Sequence, residues 1–447
     1  MNSPFGLFMP GKRPGRWPGT DCSVETDLVA VAFSGGLDST ALLHATARLG
    51  MRVLALHVHH GLQQQADDWA AHCEREARAL GAGFACTRLT GAPAPGDSVE
   101  AWAREGRHRA LHQMARAAGA DLLLLAHHRQ DQAETFLLQA MRGAGLAGLA
   151  GMPRAQWRDG VCWARPWLDR PRALIRAYAE QQGLRWIEDP SNGDGRFARN
   201  RLRQAVWPAF PAAEAGLAQA ARWVQQADAL AAEVAAEDLA RLASAERLDL
   251  TQLAALSPAR ASNALRAWLA THTAAPASLV ERLLAQWRPG ATQSWPAPGG
   301  ALHAYRDGLY WSAQVPQGQA PMPVDLSRPG LYPQPGWGGA WLVEAAAPGI
   351  ATARLARLVQ RARGGAEQFQ RAPASVPRGV KKACQEAGLP PWRRGGPLLF
   401  DGDLLVAMAG LGMDARAFAS QDEPQLSLRW LDDSALPQRE GAMHSAA

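Results

Sequence analysis

The stretch "SGGLDST", Ser34 to Thr40, gathers residue types that handle phosphate. Gly35 and Gly36 allow backbone angles and close approach that side chains block. The amides that follow, from Leu37 onward, open a helix and present donors and a positive dipole end to an anion. Ser34, Ser39 and Thr40 add hydroxyls. Asp38 repels a bare phosphate, but fits if it holds a Mg²⁺ that bridges to the phosphate oxygens. A tight turn with Asp and Ser as ordinary helix caps explains a lone Gly-Gly pair equally well. The string is not a Walker loop, which needs Gly-Lys-Ser/Thr.

Further groups follow in order. "HVHHGL" brings His57, His59 and His60 to a strand exit, where they are more simply core or surface groups than metal ligands. "SVEAWAREGRHRAL" sets Glu100, Arg104 and Arg107 on one helical face, either a salt-bridged solvent face or a lining for an anionic nucleotide or zwitterionic substrate. In "LLLLAHHRQDQAETFLL", His127 and His128 end an apolar strand, and Asp131, Glu134 and Thr135 open the next helix. Those carboxylates are either caps and dipole partners or a seat for Mg²⁺ or an ammonium group. "RWIEDPSNGDGRFARNRLR" ends in a basic helix with Arg196, Arg199, Asn200 and Arg203.

The elements that must position these groups alternate. Strands are expected at 28–33, 53–58, 83–89 and 121–126, with helices at 39–49, 66–80, 98–118 and 131–141. That alternation signifies an α/β domain with a Rossmann-like parallel sheet, whose ligands bind beyond the carboxyl ends of the strands. The catalytic domain is read as 28–208, after a flexible tail at 1–27. Ala- and Leu-rich sequence marks a helical domain at 209–314, and the Pro- and Gly-rich stretch 315–336 suits a linker. A small α/β domain is expected at 337–430.

The 447 residues carry a formal charge of +6, and only Lys12, Lys381 and Lys382 are lysines. A reaction needing an amine must therefore bring it from outside. Five scattered cysteines without a CxxC pair disfavour a disulfide framework, a four-thiolate zinc site or an iron–sulfur cluster. They fit reduced thiols in a cytoplasmic protein. No signal peptide and no membrane span are expected. Ten basic residues stand between Arg354 and Arg394 against Glu367 and Glu386, near Phe369 and Trp392, the footprint of an RNA-backbone surface with stacking.

"SGGLDST" after "VAVAF" resembles the pyrophosphate loop of the N-type ATP pyrophosphatases, the PP-loop group. Together with "HVHHGL", "AHHRQDQAETFLL", "RGAGLAGLAGM", "IEDPSN" with "RNRLR", and the later "GLPPWRRGGPLLFDGDLLVA", it resembles the tRNA(Ile)-lysidine synthase family. The resemblance implies a ligase that joins free L-lysine to C2 of the wobble cytidine of a tRNA(Ile) with a CAU anticodon. ATP is cleaved to AMP and diphosphate through an adenylated cytidine, and AUG decoding becomes AUA decoding. By position, Ser34, Gly35, Gly36, Leu37, Asp38, Ser39, Thr40 and His127 bind ATP. Asp38 and Asp131 are metal-side carboxylates for Mg²⁺, and Glu134 is an ammonium partner or orienting group. Glu100, Arg104, Arg107, Arg196, Arg199, Asn200, Arg393 and Arg394 meet the substrates. The 209–314 and 337–430 domains hold the tRNA, and a homodimer is kept open. Family members commonly show two adjacent aspartates where this chain has Gln130-Asp131. Alternatives are another PP-loop tRNA-modifying enzyme such as a thiolase, which usually needs paired cysteines, and an inactive tRNA-binding module.

Overall fold

Leu28–Ala32 reads LVAVA, and an unbroken apolar run is what a strand covered on both faces requires. The computed structural model describes residues 15–16, 23–24, 27–59, 61, 65–91, 99–188, 195, 198–210, 212–244, 246–314, 320–420 and 422–432. The chain forms two compact units, residues 1–231 and 232–447. Of the segment read as a flexible tail, Gly15–Arg16 and Ser23–Val24 pair as a short antiparallel ladder.

In the first unit, β1 (Leu28–Ala32), β2 (Arg52–His59), β3 (Gly83–Arg88), β4 (Leu122–Leu124), β5 (Ala155–Arg158) and β6 (Val161–Ala164) form one sheet in the order β3-β2-β1-β4-β6-β5. All pairs are parallel except β5 with β6. The expected all-parallel sheet is thus closed at one edge by a hairpin that periodicity did not announce. Strands this short carry too few alternations to be told from loop.

Helices α1 (Leu37–Ala47), α2 (Ala66–Ala79) and α6 (Arg172–Gln181) pack on the face presenting Val29, Val31 and Leu124. Helix α3 (Val99–Ala117) packs on the other face, against Ala30, Leu123 and Trp163. The crossover changes faces between β1 and β4, so the groove beyond their carboxyl ends is the switch point where such sheets bind ligands. Ser34, His127 and Arg165 stand just past the ends of β1, β4 and β6. Helices α4 (Arg129–Met141), α5 (Leu146–Leu149) and α7 (Ala198–Ala209) complete this part, and the long α8 (Ala213–Leu242) runs across the boundary at residue 231.

In the second unit, Leu250–Ala254, Pro258–Ala270 and Ala277–Gln286 are helical, but the span read as helical also holds an antiparallel meander, Gln293–Ala297, Gly300–Tyr305 and Gly308–Ala313. In the stretch read as a linker, Met322–Val324 and Gly330–Gln334 are edge strands, and 315–319 lie outside the described residues. Edge position explains how strands tolerate Pro323 and Pro333. The remainder is mainly antiparallel sheet, with the short helices Thr352–Leu355 and Val380–Glu386. No described helix is long and apolar enough to cross a membrane.

Gly35 has φ +82, and a Cβ there would lie 2.7 Å from Cys73 Sγ and 2.8 Å from Ile187 Cδ1. Gly36 is extended, with nothing nearer than 3.6 Å to such an atom. Gly35→Ala is therefore expected to destabilise the unit by about 2 kcal/mol or more, from left-handed strain plus overlap. Gly36→Ala stays within about 1 kcal/mol. Denaturant titration of both variants checks the difference; equal midpoints would show that the loop relaxes freely.

Candidate active site

The loop between β1 and α1 is knit by its own hydroxyls. Ser39 Oγ donates to the Gly36 carbonyl at 3.0 Å and accepts from the Ser34 amide at 3.2 Å. Thr40 Oγ1 donates to the same carbonyl at 3.0 Å. The amide of Ile187 donates to the Gly35 carbonyl at 2.8 Å, so the segment after α6 holds the loop from outside. No side chain caps the helix at Gly36, which leaves its first-turn amides open for an anion. Of the residues expected to bind ATP, Ser34 is exposed and Asp38 half-buried, whereas Ser39 and Thr40 are buried and shape the loop. The Leu37 side chain lies in the core, so only its backbone can serve a ligand.

The histidines of "HVHHGL" that are described, His57 and His59, are structural. His57 Nδ1 donates to the Phe33 carbonyl at 2.9 Å, fixing the end of β1. His59 Nδ1 accepts from the Gly61 amide at 3.1 Å, and its Nε2 faces Asp67. His60 lies outside the described residues.

Asp38 and Asp131 come from different elements yet border one ring. His128 Nε2 is 3.9 Å from Asp38 Oδ2 and 3.3 Å from Asp131 Oδ2. Asp131 Oδ2 also accepts the His128 amide at 3.0 Å, which starts α4 two residues before the expected Asp131. Burial opposes charge on Asp131, but His128, His127, that amide and Arg199 hold its carboxyl below the ordinary range. Arg172, at the start of α6, pairs with Asp38 at 3.3 Å.

Glu134 lies one turn beyond Asp131 with 0% of its surface exposed. Arg203 of α7 grips it with two bonds of 2.7 and 3.0 Å and reaches Asp131 Oδ1 at 3.3 Å. Gln130 Nε2 and Trp207 Nε1 donate to the same carboxylate at 3.0 and 3.2 Å. Although burial works against its cation, Glu134 and Asp131 hold Arg203 above the usual arginine range. Of the two roles expected for Glu134, ammonium partner or orienting group, the protein alone shows its carboxylate filled by the chain's own donors, which tie α4 to α7. Nothing in the bare pattern "RNRLR" singles out Arg203 over its neighbours, since only packing decides which arginine turns inward.

The other side of β4 is cationic. His127 is half-buried, and its Nδ1 lacks a partner. Burial pushes its pKa down to about 3 against the pull of Asp131, aided by Arg165, Arg107 and Arg199. Arg107 is half-buried, Arg104 is exposed, and Arg199 donates to Thr135 Oγ1 at 3.1 Å. Asn200 is buried within α7. Arg196 and the Glu100 side chain lie outside the described residues.

In the second unit, the expected RNA contacts are largely engaged at home. Arg393 pairs with Glu246 at 2.7 Å, and Arg394 Nε donates to the Leu389 carbonyl at 2.9 Å. Arg354 and Arg357 pair with Asp401, and Arg361 lies over the Phe400 ring. Trp392 stacks on His303 at 4.2 Å and contacts Tyr305 and Tyr310, while Phe369 is core. The expected stacking platform is therefore intramolecular. Arg371, Arg378, Lys381 and Lys382 remain exposed, away from any carboxylate among the described residues. Cys73, Cys86 and Cys384 are free thiols, Cys162 is buried in β6, and Cys22 lies outside the described residues.

Arg203→Gln leaves Glu134 buried without its charge partner, a change that costs about 3–5 kcal/mol. The double variant Arg203→Met/Glu134→Leu is expected to recover most of that stability without recovering activity. Thermal melting and AMP release on both variants check this pair; a stable single variant would remove the orienting role.

Residues 20–210 match the PP-loop domain family, 248–310 the TilS substrate binding domain and 358–430 the TilS substrate C-terminal domain. The tRNA(Ile)-lysidine synthase of Ralstonia nicotianae is 45% identical over 420 residues, spanning 88% of this chain and 90% of that protein. Those of Burkholderia pseudomallei, at 37% over 447 residues, and Alkalilimnicola ehrlichii, at 39% over 411, cover 89% and 86% of this chain and 91% and 90% of theirs. With the PP-loop domain and both substrate domains in one order, and relatives this similar over most of its length, the chain belongs to the tRNA(Ile)-lysidine synthase family.

Proposed function

We propose that the chain ligates free L-lysine to C2 of the wobble cytidine of a CAU-anticodon tRNA(Ile), cleaving ATP to AMP and diphosphate. The observation that carries the reading is the convergence of Asp38 and Asp131 on His128 beside an uncapped PP loop, at the switch point of the sheet. The 28–208 domain performs the chemistry, and the 209–314 and 337–430 domains hold the tRNA, with the reaction in the cytoplasm.

The chemistry has two halves. The C2 oxygen of cytidine attacks the α-phosphorus of ATP and diphosphate leaves. The amine of lysine then attacks C2, loses a proton, and AMP departs with the former carbonyl oxygen. The substrate supplies the amine that a chain with three lysines lacks. The open amides of α1 and the Ser34 hydroxyl receive the diphosphate charge, and Gly35 keeps the backbone close enough for them to do so.

Two carboxylates without soft ligands suit Mg²⁺, which is usually held by one or two carboxylates plus substrate phosphates. Asp38 and Asp131 would hold it, and when bound it supplies charge neutralisation at the phosphates. Arg172 balances Asp38 in the protein alone, and Arg203 balances Asp131. Gln130 in place of an acid adds a donor to Glu134, while Asp131 remains directed at Asp38's side of the ring.

Purified protein with Mg-ATP, lysine and the CAU-anticodon tRNA is expected to release AMP only when both lysine and tRNA are present. Asp38→Asn and Asp131→Asn should each slow that release by about 100-fold or more, the scale of a lost charge-stabilising contact. Lysine-independent release, or full activity of Asp131→Asn, overturns the assignment. If Arg371, Arg378, Lys381 and Lys382 each neutralise one phosphate, log affinity for tRNA falls with log salt at a slope of about −3 from these contacts. Filter binding of a variant with all four changed to Gln should show that much less salt dependence.

A further inference from the structure

Helices α1 and α6 touch through polar groups at two levels. Asp38, in the first turn of α1, meets Arg172, the first residue of α6, and deeper in, His44 Nδ1 and the Tyr178 hydroxyl share a hydrogen bond of 2.8 Å. Both pairs are separated by 134 residues, so the helices run in the same direction and both begin at the groove beside the PP loop. Gly36 and Pro171 precede them without a side-chain cap, so the positive ends of two helices border Asp38.

The guanidinium of Arg172 lies fork on fork against this carboxylate, with Nε 3.3 Å from Oδ1 and Nη2 3.3 Å from Oδ2. Charge-assisted pairs of this kind close to about 2.7–2.9 Å when they are tight. The Arg172 side chain is 43% exposed, so the pair sits in water and holds weakly. His128 Nε2, at 3.9 Å from Oδ2, is the other cationic group within reach of Asp38. A cation seated on Asp38 therefore meets the fork on the same two oxygens, and the two positive charges repel. The fork can leave without exposing any core, and its planar donors are matched to phosphate oxygens.

We infer that Arg172 is an exchangeable counter-ion of the active site: it covers Asp38 in the protein alone, and when a nucleotide arrives with its cation the guanidinium moves from Asp38 to a phosphoryl oxygen. This rests on the Mg-nucleotide reading above and adds to it a phosphate ligand that lies outside the loop motif. Asp38 then carries no uncompensated charge in either state. The residue that shields it from water and stray cations becomes a contact of the substrate.

The test is Arg172→Gln in the full chain, read by two titrations at low ionic strength, where such pairs are least screened. Mn²⁺ alone, followed by the resonance of the free ion, is expected to bind about threefold or more tighter than in the unaltered protein, because Asp38 has lost its competitor. That gain should vanish in Arg172→Gln/Asp38→Asn. Mg-ATP, followed by calorimetry without tRNA or lysine, is expected to bind about tenfold weaker, the scale of one lost charge-assisted hydrogen bond. A misfolded or loosened site weakens both, so the opposite signs identify the exchange. Mn²⁺ affinity that is unchanged or weaker overturns the inference, since Arg172 then does not compete for Asp38. Mg-ATP affinity within twofold also overturns it, and leaves Arg172 as a tie between α1 and α6. If the unaltered protein binds no Mg-ATP, the nucleotide reading itself falls, and this inference falls with it.

Discussion

A carboxylate with no exposed surface must be satisfied in place, and Glu134 imposes that requirement on the site. Its oxygens draw in Arg203, Trp207 and Gln130, so helix α7 is bound to the start of α4. The same guanidinium reaches Asp131, whose other oxygen begins α4 and faces the ring of His128. From there the linkage runs to Asp38 and the PP loop. One buried ion pair thus sets the direction of both acidic groups at the start of α4.

Past the end of β4, charges of both signs meet. His128 faces the two aspartates, and His127 beside it is acted on by Asp131 as well as by Arg165, Arg107 and Arg199. Arg172 and Arg203 stand against the acids themselves, within one switch point.

The second unit uses its basic residues differently from what their number suggests. Arginines that look like one RNA-facing run are split between internal pairs, with Asp401 and Glu246, and an exposed set around Val380–Glu386. Trp392 is consumed in the same way, since His303, Tyr305 and Tyr310 already cover its ring. An arginine's planar fork and an indole serve protein and RNA partners alike, so residue type alone does not say which is meant.

The sequence by itself determined the α/β order of the first unit, because "LVAVA" and its successors need burial on both faces and their helices repeat at helical spacing. It also determined the PP loop, since Gly35 has no substitute at positive φ against Cys73 and Ile187. It pointed to Asp38 and Asp131, which lie within a few residues of strand ends. Only the tertiary structure decided that Glu134 is spoken for by Arg203, that Arg172 balances Asp38, and that Arg165 is buried. The short strands at Ala155–Ala164 and Met322–Gln334 belong with these. In each case the reason is the same: the partner lies tens of residues away, and local spacing carries no record of which side chain a distant element will meet.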